Sequence, residues 1–195
     1  MKPAEEKSRT VAFALCGSFC SFGAVLPQIR VLRQRGWTIL PILSASAATQ
    51  DTRFGTATAL FATLRELTGH EPLTTLQAVE PLGPQQMARA LIIAPATGTT
   101  MALLAAGISS TPVTLAAKSL LRGGCPVVVA PSTNDGLAGS AGALAALLQR
   151  KHYYFVPFGQ DDSYKKPTSL KSDFTQLPDT LDGALRGVQI QPMLV

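Results

Sequence analysis

Residues 90–103, ALIIAPATGTTMAL, constrain the fold more than any other stretch of this chain. An apolar run over 90–94 ends at Pro95, passes through small hydroxyl residues and one glycine, and gives way to a helical pattern. A run this short and this apolar, bounded by turn residues, fits a strand buried on both faces of a parallel sheet. Its C-terminal end delivers the chain into a loop and then a helix N-terminus. In open α/β sheets, ligands bind in the crevice at such strand ends. The loop Thr97-Gly98-Thr99-Thr100 offers three hydroxyls and unobstructed backbone N–H groups at the helix start, which suits a phosphate or another anion.

The same order of elements recurs along the chain. Residues 11–16 read as the first strand, closed by Gly17-Ser18-Phe19, and a helix over 21–35 follows. Phe22, Val25, Leu26, Ile29 and Leu32 repeat on one face of that helix. Gly36 stops it, because glycine adopts the left-handed cap without strain. Residues 37–43 are the second strand, ending in Ser44-Ala45-Ser46. A helix opening at Asp51 or Thr52 runs to Thr68, and Gly69 ends it. The stretch 72–84 reads as irregular, with a short strand at 74–79. Beyond the 90–94 strand, helices are predicted at 99–106 and from Thr111-Pro112, with the proline in the first turn, on through 114–121 to Gly123-Gly124. A strand at 126–130 leaves through Pro131-Ser132-Thr133-Asn134-Asp135, a helix covers 141–150, and a strand covers 153–156. Residues 159–168 are polar and read as a loop, and 181–186 as a short terminal helix. Strands alternating with helices predict an α/β fold, a doubly wound parallel sheet in a Rossmann-like three-layer arrangement. With 195 residues, no repeat and no linker, one domain over 1–195 is expected, with a polar C-terminal loop and tail from about 159.

Composition removes several classes of function. Hydrophobic residues at 46% and charged residues at 15% exclude a disordered chain. The net charge of +5 raises nucleic acid as a partner, but the basic residues are scattered, with neither an aromatic RNA-binding pattern nor zinc-finger spacing. An anionic small ligand accounts for the excess, and no nucleic-acid partner is expected. The apolar run at 11–16 is too short for a signal peptide or a membrane span, so the cytoplasm is the expected location. Cys16 and Cys20 stand apart from any cluster of histidines or further cysteines, so no metal is expected and the thiols read as reduced and structural. Low charge combined with 16 glycines points to surface covered by a ligand or by other subunits.

The turn at Gly17-Ser18 lacks G-x-G-x-x-G and the P-loop lysine, which excludes an ordinary dinucleotide or nucleoside-triphosphate site. Taken alone, it is equally plain β–α turn chemistry, and so is Ser44-Ala45-Ser46. The combination is more informative. Three strand ends carry Ser, Thr and Gly with almost no bulky side chains, so a cofactor can approach the backbone closely. The candidate cofactor-binding residues are Gly17, Ser18, Phe19, Ser44, Ser46, Thr97, Gly98, Thr99 and Thr100, with Ser132 and Thr133 from a fourth turn. Asn134 in that turn can both donate and accept hydrogen bonds. Arg53 reads either as solvated at a helix start or as a bidentate carboxylate clamp. Lys165 and Lys166 read either as a solvated loop or as the cations of a closing lid.

Gly17-Ser18, Pro95-Ala96-Thr97-Gly98-Thr99-Thr100 and Pro131-Ser132-Thr133-Asn134 resemble the motifs of the homo-oligomeric flavin-containing cysteine decarboxylases. More specific are Asp51-Thr52-Arg53-Phe54-Gly55, Glu80-Pro81-Leu82-Gly83-Pro84, Tyr154-Phe155-Val156-Pro157-Phe158-Gly159-Gln160-Asp161 and Lys165-Lys166-Pro167. From residue 10 onward these are similar to a branch of that superfamily, the B subunits of dipicolinate synthases. The resemblance implies FMN enclosed by the strand-end loops, and trimers or multiples of trimers that build the flavin site between subunits. It implies a separate dehydrogenase-like partner, the A subunit of dipicolinate synthase, carrying NADP. The implied reaction oxidises a small dicarboxylate, a dihydro- or hydroxytetrahydro-dipicolinate, to dipicolinate during sporulation, in the mother-cell cytoplasm. Asn134 and Arg53 are then the catalytic and substrate-binding candidates, with Lys165 and Lys166 as further substrate ligands. The decarboxylases' histidine is missing from residues 80–86, and no cysteine after Cys125 supplies their late clamp. Decarboxylation needs an oriented base and a proton donor. A flavin-dependent decarboxylase and a non-catalytic partner of the A subunit stand as the alternative readings.

Overall fold

The computed structural model describes residues 9–195. Strands β1 (Thr10–Leu15), β2 (Thr38–Leu43), β3 (Leu91–Ala96), β4 (Val127–Thr133) and β5 (Tyr153–Phe155) form a parallel sheet in the order β2-β1-β3-β4-β5. Side chains alternate across it with the two-residue period of a strand. Val11, Phe13 and Leu15 of β1, with Ile92 of β3 and Val128 of β4, face one apolar cluster; Ala12, Ala14, Ile93 and Val129 face the other. Helices α1 (Phe22–Gln34), α3 (Ala57–Thr68) and α8 (Leu177–Leu185) cover the first cluster. Helices α4 (Leu76–Val79), α5 (Gly98–Ala105), α6 (Pro112–Arg122) and α7 (Ala141–Leu148) cover the second. The five-residue α2 (Ala45–Thr49) follows β2. Both faces are therefore sealed, which is why β1 and β3 are buried along their whole length and read as continuous apolar runs. Each fully buried Phe, Leu or Ile among them contributes roughly 1.5–3 kcal/mol relative to exposure.

The chain reverses direction across the sheet between β1 and β3, since β2 lies on one side of β1 and all later strands on the other. The crevice at such a reversal, outside the C-terminal ends of the strands, is where doubly wound folds bind ligands.

Several elements differ from expectation. Residues 159–168 are not a loop: β6 (Phe158–Asp162) and β7 (Lys166–Ser172) form an antiparallel hairpin. β7 pairs antiparallel with the end of β4, through Ser132↔Lys171 and Thr133↔Leu170. The sheet is thus parallel in its body and antiparallel where the hairpin extends it past the β4 end. Polarity misled because β6 and β7 stand at the rim, where Gln160, Asp161, Lys166 and Lys171 reach solvent. The 74–79 segment is a helix, not a strand: Thr75 caps α4 by accepting from the Ala78 N–H at 3.2 Å. Helix α3 starts at Ala57, capped by Thr56, because Thr52 and Gly55 pair across a tight turn first. α8 begins at Leu177, four residues before its expected start. Gly36 does stop α1, with φ +83°. No helix among the described residues is long and apolar enough to cross a membrane.

Candidate functional site

The ends of β1, β3 and β4 and the hairpin enclose a cleft of about 630 Å³. That is within the roughly 300–1,000 Å³ usual for small-molecule and cofactor sites. One wall is the turn after β1, where Gly17, Ser18 and Phe19 line the cleft together with Cys20 and Ser21. Space behind Gly17 is narrow: a Cβ there would stand 2.7 Å from Ser46 Oγ. Ser46 therefore backs the turn, and Ser44 caps α2 by accepting from the Ala47 N–H; neither lines the cleft.

The start of α5 forms the next wall. Thr97 caps the helix, its hydroxyl accepting from the Thr100 N–H at 3.3 Å, which leaves Gly98 and Thr99 at the cleft surface. Thr100 turns inward instead, and its hydroxyl donates to Cys16 Sγ at 3.3 Å. Burial pushes the Cys16 thiol up to about 11, against the opposing effect of that hydrogen bond. This thiol is part of the core and stays protonated at neutral pH.

β4 supplies the floor. Ser132 Oγ shares hydrogen bonds with Ser18 Oγ at 2.9 Å and Ser21 Oγ at 2.8 Å, tying the turn after β1 to the end of β4 across β3. Beside it, Asp135 Oδ1 accepts from the Thr133 hydroxyl at 2.6 Å and from the Ser140 hydroxyl at 2.8 Å. The Thr133 bond, then the Ser140 bond, holds the Asp135 carboxyl below the usual carboxylate range, so it is ionised at neutral pH. Gly98 packs onto this network so closely that a Cβ would lie 2.2 Å from Ser140 Oγ. Asn134 is exposed at the cleft surface, and its backbone carbonyl accepts from the Thr168 hydroxyl at 2.7 Å.

The hairpin closes the remaining side. Lys166 Nζ donates to Asp161 Oδ2 at 2.5 Å, which lowers the Asp161 pKa and raises that of Lys166. Both groups line the cleft, as does Lys171. Lys165 lies in the hairpin tip, where its N–H donates to Asp162 Oδ1, and is not among the lining residues. Arg53 stands exposed on the turn before α3, its guanidinium 4.9 Å from the centre of the Phe54 ring. Phe54 reaches the cleft and Arg53 does not. His70 and His152 are both exposed and lie away from it. Among the described residues, no three His, Cys, Asp or Glu side chains are grouped to hold a metal ion.

Of the expected site residues, the fold gathers Gly17, Ser18, Phe19, Thr97, Gly98, Thr99, Ser132, Thr133, Asn134 and Lys166 around one cleft. It adds Ser21, Phe54, Asp135, Asp161 and Lys171, which sequence reasoning did not assign a role. Asp135 and Asp161 belong to motifs already singled out. Lys171 is exposed between buried Leu170 and Ser172, a place legible only once that stretch is taken as a strand.

A cleft at the β1/β3 reversal, walled by glycine and hydroxyl loops on a doubly wound sheet, defines a flavoprotein-type α/β domain. Comparison with known proteins agrees. The family described as Flavoprotein matches residues 1–140. The dipicolinate synthase B subunit of Bacillus subtilis is 39% identical over 189 residues, which covers 97% of this chain and 94% of that one. The crystal structure of the dipicolinate synthase B subunit from Bacillus halodurans superposes with a TM-score of 0.87 at 37% identity, covering 95% of each chain. The FMN-dependent cysteine decarboxylase SpaF superposes with a TM-score of 0.65 at 25% identity, over 90% of this chain and 96% of that one. The chain belongs to the flavoprotein family and, within it, to that of the dipicolinate synthase B subunits.

Proposed function

We propose that this chain is the flavin-binding subunit of a dipicolinate synthase. Working with an NADP-carrying A subunit, it oxidises a dihydro- or hydroxytetrahydro-dipicolinate to dipicolinate in the mother-cell cytoplasm of a sporulating bacterium. In this reading residues 1–195 act as one domain and the protein is a homo-oligomer. One observation carries it: three separate strand ends bring side-chain-poor backbone to a single cleft at the β1/β3 reversal.

The residues present fit FMN. Gly17 leaves the first turn open, and Ser18, Thr97, Thr99, Ser132 and Thr133 supply hydroxyls around the same space. The start of α5, where Gly98 and Thr99 line the cleft, favours a phosphate. Ser44 and Ser46 brace the Gly17 turn from behind. When bound, a flavin supplies the two-electron acceptor that the side chains here lack. The chain's own residues then bind and orient the substrate. Asn134 offers both a donor and an acceptor to a ring carboxylate or ring nitrogen. Lys166 provides positive charge from the hairpin, while Lys165 at its tip and Arg53 beside Phe54 stand outside the lining, where they add positive charge around the site. Phe19 and Phe54 exclude water from one side.

The test is the visible absorption spectrum of the protein purified without added cofactor. Flavin bands are expected, and so is formation of pyridine-2,6-dicarboxylate once the A subunit with its nucleotide is added. A colourless protein that cannot be loaded with FMN, yet supports turnover by the A subunit, would leave it a non-catalytic partner.

A further inference from the structure

The cleft holds a cation that this reading does not use. Lys171 lies within β7, directly opposite Ser132 of β4 on one side and Gly159 of β6 on the other. Residues directly opposite in an antiparallel pair project from the same face, and the Lys171 and Ser132 side chains both line the cleft. Ser132 is the hub of the hydroxyl cluster with Ser18 and Ser21, so Lys171 is the strand partner of the residue that joins three groups able to donate or accept. Two ammonium groups line the cleft, and they differ in state. Lys166 is engaged by Asp161 at 2.5 Å. Lys171 makes no ion pair within 4 Å among the described residues, although its charge is felt by the Asp161 carboxylate. It is therefore the lining ammonium that no carboxylate pairs directly, with the Asp135 and Asp161 carboxylates elsewhere in the same lining. It also sits on a strand paired along both edges, which holds its Cα in place, whereas Lys165 lies in a turn.

We propose that Lys171 and the hydroxyls gathered at Ser132 form the subsite for one carboxylate of a ring dicarboxylate, and that Lys171 determines specificity for the diacid. The inference rests on the dicarboxylate reading above and names the residue that reading lacked. An ammonium beside hydroxyl donors suits any oxyanion, so a cofactor phosphate is the competing source of the same chemistry.

The experiment is calorimetric titration of the FMN-loaded protein with pyridine-2,6-dicarboxylate and with pyridine-2-carboxylate, in wild type, Lys171→Met and Lys171→Arg. Wild type is expected to prefer the diacid by at least about tenfold, as a second charge-assisted contact warrants. Lys171→Met is expected to cut that preference below about threefold while FMN content stays at one per chain, and Lys171→Arg to keep most of it. An undiminished preference in Lys171→Met, in a protein shown to be folded by circular dichroism, overturns the proposal while leaving the dicarboxylate reading intact. Loss of FMN from Lys171→Met overturns it by assigning the charge to the cofactor. A wild type that does not distinguish the two acids overturns both.

Discussion

Gly17 and Cys16 are chain neighbours with opposite duties, and each can be tested alone. At Gly17 a Cβ would meet Ser46 Oγ at 2.7 Å, and Phe19 at 3.6 Å. The close atom is the end of a hydroxyl that can rotate, and the backbone is not in the left-handed region, so the fold accommodates a side chain there by shifting the turn, which is itself a wall of the cleft. Gly17→Val is expected to abolish flavin retention, read from the absorption spectrum, while shifting unfolding stability by less than about 1–2 kcal/mol in urea. Cys16 belongs to the core, and burial lifts its pKa to about 11 from an ordinary 9.0. A folded-state pKa raised above the unfolded one means that the native state keeps the proton longer. The stability this provides is fully present below pH 9 and is lost as pH rises toward and through 11. A displacement of that size corresponds to roughly 2–3 kcal/mol. Urea unfolding between pH 8 and 11 is expected to fall more steeply in wild type than in Cys16→Ala. Thiol labelling of the native protein at pH 8 is expected at exposed Cys20 well before Cys16.

At the scale of elements, the hairpin decides the shape of the site, and its own edge is covered by the end of the chain. The Phe158 N–H donates to the Met193 carbonyl at 3.0 Å, and the Val195 N–H donates to the Phe158 carbonyl at 3.2 Å. This is possible because residue 159 is glycine: a Cβ there would lie 2.0 Å from the Val195 carbonyl oxygen. Gly159→Ala is expected to displace the segment from β6, speed hydrogen exchange at the Phe158 amide, and cost about 1–3 kcal/mol in denaturant unfolding. The parallel body of the fold was legible from sequence because strands buried on both faces read as apolar runs and their helices repeat an apolar face. Gly36 and Thr111-Pro112 marked boundaries where they occur. The hairpin was not legible. Its outer residues are polar because they face water and the cleft, and a strand that pairs at a rim looks like a loop to any reading of hydrophobic period. Lys171 was hidden for the same reason. It joins the site through its partner Ser132, a pairing set by topology and not by spacing along the chain. Arg53 shows the converse: its place after the second strand was right, but the Thr52–Gly55 turn carries its guanidinium onto Phe54 and away from the cleft.

At the scale of the whole molecule, the apolar surface left uncovered bears on assembly. Leu137 is 52% exposed, Ile108 48% and Leu148 40%, and Phe54 is 53% exposed at the mouth of the cleft. Tyr164 at the hairpin tip is 95% exposed. Helix α7 is built only of Ala, Gly and Leu, yet Leu144 and Leu147 alone are buried in it. A helix apolar all round is stable where both sides are covered, and this chain covers one. An apolar helix face left open to solvent marks an interface, and closed symmetry is the usual way to pair such a surface with itself. Light scattering coupled to size exclusion is therefore expected to give a mass more than twice the 20.5 kDa of one chain. Leu148→Glu, which places a charge on the open side of α7, is expected to lower that mass without unfolding the chain, because the residue is partly solvated already. If the assembly completes the cofactor site, the same variant loses flavin as it dissociates, and the two losses track each other across protein concentration. A stable monomer that retains its flavin would mean that the cleft in one chain is sufficient, and that the exposed face of α7 serves some contact other than self-assembly.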